Sequence, residues 1–130
     1  MARPKRQVFI SHSGADSEWV RAFAESLKAQ GVTVWLDEWQ VHVGEPIQNV
    51  LERALRTSDI IAFILTRENI HRPDLFFELG AAVGMGKRAV PIVPRDLETS
   101  QLPYPLRVRR SLPQGSPEET ARKLLAETAA

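Results

Sequence analysis

Six consecutive apolar residues, Ile60 to Leu65, stand near the middle of this 130-residue chain. A strand that is wetted on one face alternates apolar with polar side chains. One that is apolar at every position has both of its faces covered. Two further short β-branched and aromatic runs, Gln7 to Ile10 and Val32 to Leu36, read as strands, and Ala89 to Val93 is again continuous. Between them lie segments with apolar residues at helical spacing: Val20, Phe23, Ala24 and Leu27; then Ile47, Val50, Leu51, Ala54 and Leu55; then Leu75, Phe76, Leu79, Ala82 and Val83. Strand and helix in strict alternation imply a parallel sheet with helices on both faces. The expected fold class is α/β, a flavodoxin-like three-layer sandwich around a central parallel sheet of four to five strands.

Local signals give boundaries to these elements. Asp16 or Ser17 can cap the first helix, and Gly31 stops it. Pro46 fits the first turn of the second helix. Pro73 or Asp74 opens the third. Gly80, Gly84 and Gly86 fall within or at the end of that helix and read as close packing against the sheet followed by a C-terminal stop. The segment 95–115 is irregular and carries Pro103, Pro105 and Pro113, with a short edge strand expected at Leu106 to Val108. Ser116-Pro117-Glu118-Glu119 starts a last helix over 116–128. Residues 1–6 read as a flexible N-terminus, and residues 1–130 as a single domain.

Composition excludes several classes. The net charge is +1, from 17 basic and 16 acidic residues, so nothing demands a polyanionic partner. Arg107, Arg109 and Arg110 read as a solvated edge, and no nucleic-acid partner is expected. There is no cysteine, and His12, His42 and His71 do not fall at zinc spacing, so no metal site is expected. The start lacks the apolar core of a signal peptide, and the Ile60 to Leu65 run is too short to span a bilayer. The expected location is the cytoplasm, without a membrane partner. No Gly-x-Gly-x-x-Gly follows a strand, and neither a phosphate loop nor a Gly-x-Ser-x-Gly elbow is present.

In open parallel sheets, ligands bind beyond the carboxyl ends of the strands, where the strand order reverses. That rule gathers the Ser11 to Gly14 turn, Asp37 with the loop after it, and Thr66 on one rim. Ser11 and Ser13 either satisfy the turn or bind a phosphate or ribose with the helix N-terminus. His12 reads as a turn residue or an acid. Trp39 is a stacking platform, a subunit contact or a residue folded under its own loop. Asp37 fixes its loop or touches ligand, and Arg72 is either solvated or paired with a phosphate. Trp19 and Trp35 read as structural. Taken from pattern alone, Glu78 is a border glutamate in the first half of a helix, favoured by the dipole.

Several segments together resemble a TIR domain. Val8-Phe9-Ile10-Ser11-His12-Ser13 with Asp16 is similar to its first strand and loop, and Gly31-Val32-Thr33-Val34-Trp35-Leu36-Asp37 to its second strand. The loop from Glu38 to Gly44, ending in Gly-x-Pro-Ile, resembles the loop through which TIR subunits touch. Ile60 to Thr66 resembles the third strand. Phe76-Phe77-Glu78-Leu79 resembles the helix that carries the catalytic glutamate of TIR enzymes. The likeness runs from Gln7 to about Pro94. The stretch from Phe77 to Lys87 also looks like the nucleoside deoxyribosyltransferases, a related fold.

The resemblance implies an NAD hydrolase that cuts the nicotinamide–ribose bond and releases nicotinamide with ADP-ribose or a cyclic form. NAD is then substrate, and no cofactor is required. Glu78 becomes the catalytic residue, with Ser11, His12, Ser13, Asp37, Trp39 and Arg72 as substrate-binding candidates. Nicotinamide leaves as a cation becoming neutral, so a carboxylate that stabilises or captures the ribosyl cation is the group required. The family further implies self-association through the Asp37–Gly44 loop, a sensor on another protein or domain, and a prokaryotic antiphage role. Many TIR enzymes carry tryptophan four residues before the glutamate. Here Asp74 stands there, leaving Phe76, Phe77 or Trp39 to supply an aromatic surface. The alternatives are a signalling adaptor without activity and a deoxyribosyltransferase-like enzyme.

Overall fold

The computed structural model describes residues 6–12, 15–36 and 47–129, without the side chains of 47–51, 74 and 77. Five strands, β1 (Gln7–Ser11), β2 (Thr33–Leu36), β3 (Ile60–Ile64), β4 (Arg88–Val93) and β5 (Leu112–Pro113), form one sheet in the order β2-β1-β3-β4-β5. Every pairing is parallel. The helices are α1 (Ser17–Ala29), α2 (Ile47–Thr57), α3 (Pro73–Gly84), the short α4 (Tyr104–Arg107) and α5 (Pro117–Glu127).

The consecutive apolar runs divide by parity, because successive side chains of a strand point to opposite faces. Val8, Ile10, Ile60, Ala62 and Ile64 join Val20, Phe23 and Leu27 of α1 and Ala121 and Leu124 of α5 in one core. Phe9, Ile61, Phe63 and Leu65 join Leu55 of α2 and Leu75, Leu79 and Ala82 of α3 in the other. All five residues of β3 are buried, as a strand covered on both faces must be.

Asp16 is the cap of α1, its side chain accepting from the Glu18 N–H at 3.0 Å, and Ser116 caps α5 by accepting from the Glu119 N–H at 3.1 Å. Gly31 and Gly86 adopt φ of 88° and 72°, the left-handed conformation that ends α1 and α3. Trp19 stacks on Phe23 with ring centroids 5.1 Å apart, and its indole N–H donates to the Gly115 carbonyl at 3.1 Å. This ties α1 to the approach of α5 and gives Trp19 the structural role its sequence position indicates.

Two expectations are corrected. The segment Leu106 to Val108 is not a strand. Pro103 takes the N-cap position and Pro105 presets φ within the first turn, so 104–107 coil into α4 with Leu106 buried, and the edge strand forms at Leu112–Pro113. Gly80 and Gly84 do not pack closely against the sheet; a Cβ at either meets nothing within 4 Å, and both are exposed. The Arg6 guanidinium donates to the Thr128 carbonyl at 3.1 Å, and its own carbonyl accepts from the Thr33 N–H at 2.8 Å.

The core makes a stability prediction. Phe9 is fully buried on β1 between two neighbouring strands. Phe9→Ala is expected to lower the free energy of urea unfolding by about 3–5 kcal/mol. Val83→Ala, at a side chain 40% exposed on α3, is expected to change it by less than about 0.5 kcal/mol.

Candidate active site

All five strands run the same way, so their carboxyl ends share one rim. The chain passes from β1 through α1 to β2 on one side, then crosses back through α2 to β3 on the other. The crevice between the ends of β1 and β3 is therefore the switch point. Ser11 and His12 reach it from β1, and Leu65 and Thr66 from β3. Ser11 is buried at the register position opposite Phe63. His12 is half-buried, and its carbonyl accepts from the Ala15 N–H at 2.9 Å, closing the turn before α1.

From Thr66 the chain folds through a 3-10 turn, Asn69–His71, into α3. Arg72 is the exposed N-cap residue of α3 and makes no side-chain cap; Pro73, which has no N–H to satisfy, takes the first helical position. Glu78 lies five residues further, about 8 Å along the axis. Its helix mates Leu75, Leu79 and Ala82 are core residues, and Glu78 is itself only 7% exposed, with Oε2 removed from solvent. The sequence places this side chain at the border of the apolar face, and the structure buries it further than a border position requires. A carboxylate in such surroundings acts on a nearby positive charge through a medium much less screening than water.

Ser11 and His12 thus stand at the carboxyl end of β1, Arg72 follows the carboxyl end of β3 through the 3-10 turn, and Glu78 lies within α3, which packs on β4. Ser13, Asp37, Trp39 and the Asp37–Gly44 loop lie outside the described residues. Among the described residues, no group of three or more His, Asp or Glu is arranged to hold a metal ion, and no helix is long and apolar enough to cross a membrane. A rim cavity of about 240 Å³, lined by Asp16, Trp19, Thr66, Asp96 and Gln114, belongs to the α1 side of the sheet. Another, of about 370 Å³, lies between β4, β5 and α5 with Arg88, Arg109 and Arg110 on its walls. Neither includes Glu78.

The family profile described as the TIR domain matches residues 8–125. The chain belongs to the TIR domain family. It is 35% identical over 81 residues to the 2' cyclic ADP-D-ribose synthase AbTIR of Acinetobacter baumannii, covering 62% of this chain and 30% of that protein. It is 32% identical over 56 residues to the NAD(+) hydrolase PdTIR of Paracoccus denitrificans, covering 42% of this chain and 19% of that one. This TIR domain thus spans less than a third of the length of either relative. Among solved structures, the fold matches the TIR domain of the Toll-related receptor TRR-2 from Hydra magnipapillata. That match has a TM-score of 0.71 and 17% identity over 94% of this chain and 93% of that one. It also matches a Clostridium botulinum CMP N-glycosidase, with a TM-score of 0.68 and 16% identity over 92% and 98% of the two chains.

Sequence reasoning passed over one residue at this rim. Asn69 reads as part of a polar loop, yet it is 1% exposed and bonded to the end of β3. The signal available was Thr66-x-x-Asn69 directly after a buried strand, a spacing at which a side-chain amide can close the turn.

Leu75, Leu79 and Ala82 on the same helix are core residues, so an apolar side chain at position 78 suits its surroundings. Leucine has a comparable length and equal or better helix propensity. Glu78→Leu is accordingly expected to unfold at a urea concentration equal to or above that of the wild type. A clearly lower midpoint would make Glu78 a structural residue instead.

Proposed function

We propose that this TIR domain is an NAD hydrolase in which Glu78 does the chemistry. The reading is supported by the Glu78 carboxyl group, buried on α3, in a chain 35% identical to a 2' cyclic ADP-D-ribose synthase over the matched stretch. The bond that breaks joins C1′ of the ribose to the nicotinamide nitrogen. Its electron pair leaves with the nicotinamide and neutralises the ring, so no proton donor is needed at that step. The ribosyl cation left behind is stabilised by the carboxylate. Water then adds to C1′ and loses a proton, giving ADP-ribose; a ribose hydroxyl of the same molecule adds instead where the product is cyclic.

The remaining candidates take supporting roles. Ser11, His12 and Ser13, at and after the end of β1 in the sequence, meet the ribose and phosphates. Arg72, exposed at the start of α3, offers a guanidinium to a phosphate. Asp37 and Trp39, on the loop after β2, hold that loop and stack on a base. In this reading residues 1–130 act as one TIR-like domain in the cytoplasm. The Asp37–Gly44 loop of one copy reaches a neighbour, assembly switches the site on, and a sensor on another protein or domain drives assembly. The setting is prokaryotic antiphage defence.

The test is nicotinamide release from NAD at high protein concentration, with and without a crowding agent, for wild type and Glu78→Ala. Release is expected from the wild type and to fall at least about 100-fold in the variant, with no base released from deoxynucleosides. Silence from the wild type while light scattering shows assembled domains would favour the adaptor instead.

A further inference from the structure

The segment from Ile64 to Pro73 leads from β3 into the helix that carries Glu78. The strand that ends the core, β3, must hand over to α3 at a buried turn. Any backbone group left there without a partner is costly. The Asn69 side chain serves both of its ends. Its Oδ1 accepts from the Thr66 N–H at 2.8 Å, and its Nδ2 donates to the carbonyl of Ile64, the last residue of β3, at 2.9 Å. The backbone closes the same turn from the other side. The Asn69 N–H donates to the Thr66 hydroxyl at 3.0 Å, and the Asn69 carbonyl accepts from the Arg72 N–H at 3.0 Å. Next to it Ile70, 4% exposed, plugs the core on the α3 side.

Arg72 caps α3 with no side-chain hydrogen bond, and Pro73 has no N–H to anchor. The start of α3 is therefore tied to the sheet end through the Asn69 turn. A donor and an acceptor are needed on one short planar group, which asparagine has. Aspartate has acceptors only, and alanine has neither.

We infer that Asn69 is a positioning residue for Glu78, fixing the start of α3 against the end of β3 so that the carboxylate meets the ribose at a set distance. Asn69 is buried. Its effect travels along a helix that moves as a unit. A displacement on the order of 1 Å at a reacting group costs roughly 100-fold in rate. The inference rests on the proposed NAD hydrolysis for its kinetic consequence, while the structural link stands apart from it.

The test compares Asn69→Ala and Asn69→Asp with Ser58→Ala, a control at a fully buried hydroxyl that donates to the Ala54 carbonyl at 2.6 Å, at the opposite end of β3. Assays run well below the melting temperature of every variant. Both Asn69 variants are expected to lose about 10- to 100-fold in kcat for nicotinamide release, with KM little changed, while Ser58→Ala keeps its kcat. A folded Asn69→Ala with the wild-type kcat overturns the inference, and so does an equal kcat loss in Ser58→Ala. Amide hydrogen exchange gives the second readout and needs no activity, so it decides the matter even if the wild type leaves NAD intact. Exchange at 75–79 that rises at least about tenfold in Asn69→Ala, with α1 unchanged, supports the link. Uniform acceleration, or none, overturns it.

Discussion

Burial of β3 on both faces is the constraint from which the rest of this structure follows. Its five residues touch helices above and below, so the sheet cannot leave either side wet, and helices must return the chain across both. Parallel pairing then puts all carboxyl ends on one rim. The order β2-β1-β3-β4-β5 opens the crevice between β1 and β3, next to which α3 begins. The location of the candidate chemistry is thus a consequence of which strand is wrapped completely, well before any side chain at the site is considered.

The same burial sharpens the electrostatics. Glu78 rides on a helix whose neighbouring positions, Leu75, Leu79 and Ala82, belong to the core. In the proposed reaction this carboxylate stabilises the ribosyl cation. The site depends on position as much as on charge, because electrostatic stabilisation works through groups already in place. The Asn69 turn meets that requirement where strand and helix join. Its polar atoms are buried with partners from Ile64 and Thr66, so it holds its geometry without help from solvent.

Much of this was legible in the residues. Continuous apolar runs gave the strands, Asp16 and Ser116 the helix starts, and Gly31 and Gly86 the stops, because each rests on local stereochemistry that tertiary contacts do not override. The rim followed from topology. The misreadings arose where the deciding contact is distant. Leu106 is buried by helical coiling after Pro103, and Leu112 pairs with Ile92, twenty residues away. Gly80 and Gly84 face outward, so their small size reflects no packing demand inside the domain. Asn69 reads as loop because asparagine is so common in turns. Only the three-dimensional structure shows it bonded to the end of a buried strand. Glu78 needed the family as well: its pattern alone suits a helix-border residue.

The most direct measurement on the central claim is a crystal structure of the Glu78→Gln variant with NAD bound. The account predicts the nicotinamide ribose in the crevice between β1 and β3, with C1′ roughly 3–4 Å from the side-chain oxygen of residue 78. NAD seated elsewhere, for example in the arginine-lined cavity between β4 and α5, or a ribose out of reach of residue 78, would contradict it.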